Sequence, residues 1–95
     1  MAAYLIAFAK VKNANRIAQY SSAAGPTLHA SGGSVVTRGK VRSLVGVFST
    51  DSCLIVKFKD AAAIEAWHAS PAYQALIPLR DEVMDSNLLV LEEPT

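Results

Sequence analysis

The sequence predicts an α+β fold in which one antiparallel sheet carries two helices against one face. Its strand-like and helix-like stretches run strand, helix, strand, strand, helix, strand, the split βαβ order. The helical stretches repeat apolar residues at three- and four-residue spacing, whereas the strands alternate. The first, central and last strands are apolar on both faces, so the sheet needs cover on two sides. Two helices cover only one.

Tyr4-Leu5-Ile6-Ala7-Phe8-Ala9 is the first strand, with Tyr4, Ile6 and Phe8 on one face and Leu5, Ala7 and Ala9 on the other. Asn13 is the expected N-cap of the first helix, its side-chain oxygen meeting an orphan backbone donor. Ile17, Tyr20, Ala24 and Leu28 form the apolar stripe, and Arg16, Gln19 and Ser22 turn outward. Gly25-Pro26 is expected to kink or divide this helix, because proline lacks a backbone donor and disfavours helical geometry in its predecessor. Gly32-Gly33 ends it, since glycine tolerates the left-handed conformation that closes a helix.

Ser34 to Arg38 reads as a strand, Gly39-Lys40 as a tight turn, and Val41 to Phe48 as a returning strand in which Val41, Ser43, Val45 and Val47 alternate. A polar turn precedes Cys53-Leu54-Ile55-Val56-Lys57-Phe58, the most strand-like run in the chain. Asp60 caps a helix from Ala61 to about Ala69, with Ile64 and Trp67 as its buried stripe. Ser70 caps again, and Pro71 takes the first helical position, where its missing donor costs nothing. Tyr73, Leu76 and Ile77 follow at helical spacing. Pro78 then breaks or bends the path, leaving an irregular turn from Leu79 to Met84 before the last strand, Asn87 to Glu93. No repeat or linker divides the chain, so a single domain spanning 1–95 is expected.

Composition limits the function classes. The chain is 52% hydrophobic and only 18% charged, an apolar excess that a shared interface would absorb. Its net charge of +1 gives no global attraction to nucleic acid or anionic membrane. Lys10, Lys12, Arg16, Arg38, Lys40 and Arg42 all precede the first acidic residue, Asp51, which predicts basic and acidic elements lying side by side in the fold. One cysteine, Cys53, precludes an intrachain disulfide and suits a reducing compartment. The apolar stretch Met1 to Ala9 has its basic residues after it, the reverse of a secretory signal. A cytoplasmic protein is expected, with no membrane and no nucleic acid among its partners. An apolar sheet face exceeds what soluble surfaces usually expose, so a homodimer with its sheets face to face is the expected assembly.

The densest run of chemistry is Trp67 to Gln74, with Leu76, Leu79 and Arg80 behind it. Trp67 at helical spacing is a core residue first; its functional reading is a pocket wall that stacks on a flat ligand. His68 is a candidate general base, although no carboxylate or second histidine is spaced to partner it. Two histidines and one cysteine give no metal-ligand spacing, so no metal is expected. Ser70 is a helix cap rather than a nucleophile, and Cys53 an inert small hydrophobe. Tyr20, Tyr73, Arg38 and Arg80 form a more informative set, since two phenols and two guanidiniums suit a carboxylate or an enol. Tyr73 and Arg80 are seven residues apart, which places them on one helical face if Pro78 leaves the helix intact. The competing reading pairs Arg80 with Asp81 or Glu82.

Tyr4-Leu5-Ile6-Ala7, Gly32-Gly33, Arg38-Gly39 and above all the pattern Trp-x-x-Ser-Pro-x-Tyr-Gln followed six residues later by Arg80 carry a resemblance. Over nearly its whole length the chain resembles the bacterial domain-of-unknown-function family numbered thirteen-thirty, within the dimeric α/β-barrel superfamily. The resemblance implies a ferredoxin-like βαββαβ protomer and a sheet-to-sheet dimeric α/β barrel, and no established activity. Elsewhere the superfamily includes cofactor-independent monooxygenases, muconolactone isomerases and haem-binding enzymes, a likeness of fold alone.

The leading expectation is a small homodimeric domain whose helix–sheet pocket binds a small organic acid or aromatic. Arg38, Trp67, His68, Tyr73 and Arg80 are the ligand-binding candidates, and no cofactor is expected. One alternative is a cofactor-independent monooxygenase or isomerase using His68, Tyr73 and Arg80 around an enolisable or aromatic substrate. The other is a structural or interaction role without chemistry. A convergent pocket joining His68 or Tyr73 to Arg80 favours catalysis; a filled core favours the last.

Overall fold

The computed structural model describes residues 1–94. Its elements are β1 (Ala3–Val11), α1 (Ile17–Ala30), β2 (Ser34–Lys40), β3 (Ser52–Phe58), α2 (Ala61–Ala69), α3 (Pro71–Gln74), α4 (Ile77–Val83) and β4 (Met84–Glu92). The strands form one four-stranded sheet in the order β2-β3-β1-β4, every pairing antiparallel. Apolar runs with both faces committed take the two central places, β1 and β3. The helices pack against one face, as the element order requires. Register puts Leu5 opposite both Val56 and Val90, and Ala7 opposite both Leu54 and Leu88, so these side chains share the helix-covered face. Tyr73, Phe58, Val56 and Val83 are the largest fully buried side chains.

Several boundaries depart from the sequence expectations. Asn13 does not cap α1: its Oδ1 accepts from the backbone N–H of Asn15 at 3.1 Å, which spends it on a local turn. Arg16 holds the N-cap position without a side-chain cap bond. Pro26 neither kinks nor divides α1, which is continuous from Ile17 to Ala30. The carbonyl that proline leaves unpaired belongs to Ser22, and both residues are exposed, so water can satisfy it. Pro78 sits in the first turn of α4, where a missing donor is tolerated, and that turn is a regular helix.

The larger correction lies between β2 and β3. Gly39 and Lys40 are not a turn; they continue β2 and pair with Cys53 and Ser52. Val41 to Phe48 is not a strand. Its alternation imitates one, but β2 already pairs directly with β3, and Gly46 takes a φ of +88° that ends any extended course. Leu44, Val45 and Val47 consequently stand exposed on a loop, while Phe48 packs edge-on against Phe8 with ring centroids 5.2 Å apart.

The C-terminus of α1 closes as the glycine pair suggests. Gly32 N–H donates to His29 O at 3.0 Å and Gly33 N–H to Leu28 O at 2.9 Å, the two bonds of a Schellman motif, with Gly32 at φ +86°. The basic first half and the acidic second half do meet, through Lys12 with Asp85 and Arg16 with Glu82. Both pairs are exposed and contribute little to stability. None of the helices among the described residues is long and apolar enough to cross a membrane.

Candidate functional site

A cavity of about 490 Å³ lies between α1 and the sheet. Small residues make the room. Ala7 and Ala9 of β1 face Ala24 and Gly25 of α1, where larger side chains would have met and filled the layer. Leu5, Leu28, Leu54 and Leu88 complete apolar walls, and Trp67 contributes to the lining. The size is ordinary for a small-molecule site.

Polar groups gather at one end. Asp60 accepts from Ala63 N–H at 2.8 Å and starts α2, and Ser70 accepts from Tyr73 N–H at 3.3 Å and restarts the chain as α3. That second cap swings Tyr73 inward, its ring centroid 4.2 Å from that of Trp67. The Tyr73 hydroxyl lies 2.9 Å from that of Tyr20, and Arg80 Nη1 donates to it at 3.2 Å. Arg80 Nε also donates to Asp81 Oδ1 at 3.1 Å, so the expected ion pair and the expected tyrosine contact coexist. Trp67 is 2% exposed, and its Nε1–H donates to Thr27 Oγ1 at 3.0 Å. It is at once core and cavity wall.

Burial, and then the hydrogen bond with Tyr73, push the Tyr20 phenol well above the ordinary tyrosine range. It stays protonated at any physiological pH. Burial pulls the Arg80 guanidinium down, but its bonds to Tyr73 and Asp81 outweigh that and raise it on balance. It stays charged.

Of the residues expected from the sequence, Arg38, Trp67 and Arg80 line the cavity. Tyr73 is fully buried behind Tyr20 and reaches the cavity through it. His68 is the exception. One residue beyond Trp67 on α2 it is rotated roughly 100° around the helix, and it is exposed and absent from the lining. Arg38 comes from the edge strand β2, with Lys40 further along, and both are exposed on the cavity lining. Among the described residues neither makes an ion pair. Among the described residues no carboxylate lines the cavity, whereas three cationic residues do. Cys53, at the start of β3, is partly exposed and also contributes to the lining. Tyr20, expected as a stripe residue of α1 and as one phenol of the set with Tyr73, Arg38 and Arg80 but not among the ligand-binding candidates, does line the cavity. The signal that could have promoted it is the alanine-rich surface around it, which leaves its hydroxyl end unfilled.

The family model described as a domain of unknown function, DUF1330, matches residues 2–94. The chain belongs to the DUF1330 family. No curated protein matches it. Among solved structures, a protein of unknown function from Rhodopseudomonas palustris superposes with a TM-score of 0.81 at 21% identity, covering 99% of this chain and 83% of that one. SnoaB, a cofactor-independent oxygenase from Streptomyces nogalater, gives 0.72 at 12% identity, over 99% and 94% of the two chains. A dimeric ferredoxin-like protein of unknown function from Thermobifida fusca gives 0.66 at 14% identity, over 98% and 92%. At these identities the likeness is one of fold. The DUF1330 chain is ferredoxin-like, as its element order and sheet order require.

Proposed function

We propose that this chain is a homodimeric binding domain whose cavity between α1 and the sheet takes a small, largely apolar or aromatic molecule with an anionic end. The observation that carries the reading is the lining itself: among the described residues it has apolar walls, three cationic residues and no carboxylate. Arg80 is the anchor, because its side chain is 16% exposed and its guanidinium is held at a fixed angle by Tyr73 and Asp81. Arg38 and Lys40 add positive charge from the β2 side, and Trp67 offers a flat wall. The second copy covers the open sheet face. Ile6, Phe8, Ile55, Leu89 and Leu91 lie there by alternation, and Leu89 and Leu91 are half exposed. A slab measuring 35 × 35 × 17 Å presents that face broadly enough for a stable dimer. The fold likeness to a dimeric ferredoxin-like protein supports the same arrangement.

One observation favours a second reading, a cofactor-independent oxygenase or isomerase: Arg80 lines the cavity and donates to Tyr73 buried behind it. Fold likeness to SnoaB adds to it. Among the described residues no imidazole or side-chain carboxylate lines the cavity to accept a proton, however, so binding is the stronger reading. Calorimetry with 2-naphthoate as the probe tests it, using wild type beside Arg80→Lys. Lysine keeps the charge and loses the fork, so a weakening of about tenfold is expected. Equal affinity in both proteins removes Arg80 from the site.

A further inference from the structure

At the inner end of the cavity, hydrogen-bond accounting decides which hydroxyl proton is spent and which is left over. A tyrosine hydroxyl has one proton to donate and two lone pairs with which to accept. Tyr73 is fully buried, and its oxygen already accepts from Arg80 Nη1. Among the described residues its one other hydrogen-bonding neighbour is the Tyr20 oxygen. If Tyr20 donated across that contact, the Tyr73 proton would be buried without an acceptor, which native interiors avoid. Donation therefore runs from Arg80 to Tyr73 and from Tyr73 to Tyr20. It ends on a Tyr20 proton that no described group accepts, carried by a residue that lines the cavity.

We propose that Tyr20 is the specificity-determining donor of this cavity, and that its ligand presents an sp² oxygen there, as a ketone, quinone or carboxylate on an apolar frame. The inference rests on the reading of the cavity as a small-molecule site. A cationic donor at the head of the chain polarises each hydroxyl after it, so the last proton is a better donor than an isolated phenol's. The raised Tyr20 phenol keeps that proton in place at neutral pH. Arg80 reinforces the preference. Of its five N–H groups, one is spent on Tyr73 and one on Asp81, and the others are donors too. An acceptor oxygen answers both residues; a hydrocarbon of the same shape answers neither.

The test uses two probes of matched shape, 2-acetylnaphthalene and 2-ethylnaphthalene, binding to wild type, Tyr20→Phe and Tyr73→Phe, with folding checked by circular dichroism. The affinity ratio of ketone to hydrocarbon is compared between proteins, so each probe's own partitioning from water cancels. In Tyr20→Phe the ratio should fall about 5- to 10-fold, the loss of one hydrogen bond. In Tyr73→Phe it should fall less, because the Tyr20 proton remains although its polarising partner is gone. An unchanged ratio in Tyr20→Phe, with both probes still bound, overturns the Tyr20 assignment and leaves the cavity reading standing. Failure of both probes and of 2-naphthoate to bind wild type overturns the two together.

Discussion

Arg80 Nη1 reaches the Tyr73 hydroxyl at 3.2 Å although the helical path between them is interrupted. α3 ends at Gln74 and α4 begins at Ile77, so the contact is not a product of two uninterrupted turns. The chain bridges the gap with helical geometry at Ala75 and Leu76, and Arg80 N–H donates back to Leu76 O at 2.8 Å. The contact therefore depends on how closely α3 and α4 are joined, and Pro78 at the start of α4 stiffens that join.

Gly33 is required for space rather than for backbone freedom. A Cβ there would lie 2.9 Å from each of Leu28 O, Phe58 Cζ and Val56 Cγ1. Gly33→Ala should destabilise by about 1–3 kcal/mol, by overpacking against a carbonyl that Gly33 itself hydrogen-bonds. Gly25, mid-helix, has nothing within 4 Å beyond its chain neighbours, but Pro26 crowds a Cβ on a helical predecessor, so Gly25→Ala should show none of the about 0.5–1 kcal/mol gain of an ordinary mid-helix glycine. Denaturant midpoints of the two variants against wild type check both expectations.

Trp67→Ala should cost about 3–5 kcal/mol, because it removes a buried ring from between Phe58 and Tyr73. Trp67→Phe keeps most of the volume and loses the bond to Thr27, so about 1 kcal/mol is expected. A change well under 1 kcal/mol for the alanine variant in urea unfolding would contradict a core role.

Alkaline pH should weaken the fold through Tyr20. Its folded phenol holds its proton above the point, near pH 10, at which an unfolded tyrosine releases it. The native state then binds more protons than the unfolded state, so stability falls as pH rises. That contribution is fully present below about pH 10 and is lost progressively above it. Unfolding midpoints between about pH 8 and pH 11 should decline more steeply for wild type than for Tyr20→Phe. Parallel declines would mean that Tyr20 is not held as a phenol by the fold.

Light scattering at micromolar concentration should give the mass of two chains, with an interface of at least about 800 Å² per partner. Leu89→Lys combined with Leu91→Lys places charge on the half-exposed face of β4 and should yield monomers. A monomeric wild type removes the sheet-to-sheet dimer from the account.

The fold was legible in the sequence wherever local chemistry and the global arrangement agree. Asp60 and Ser70 cap helices in sequence and in structure alike, and of the three two-faced strands β1 and β3 take the centre of the sheet while β4 takes an edge. Asn13 and Val41 to Phe48 misled because a local pattern was answered by a different partner. Asn13 spends its side chain on Asn15, and the valines alternate along a segment that lacks the expected hairpin turn, because Gly39 and Lys40 continue β2 and pair with β3. The site was half legible. Trp67, Tyr73 and Arg80 lie in one dense motif, whereas the cavity arises where Ala7 and Ala9 meet Ala24 and Gly25 across layers, a coincidence that only register and packing reveal. His68 shared that motif, but a single helical step carries it away from the cavity.

A crystal structure with 2-naphthoate tests the central claim most directly. The account predicts the naphthalene between α1 and the sheet, against Ala24 and Leu54, with its carboxylate within hydrogen-bond distance of Arg80 and Tyr20. A carboxylate held elsewhere, on the exposed basic loop at Arg42 or on the open sheet face, with the cavity empty at saturating probe, would contradict it.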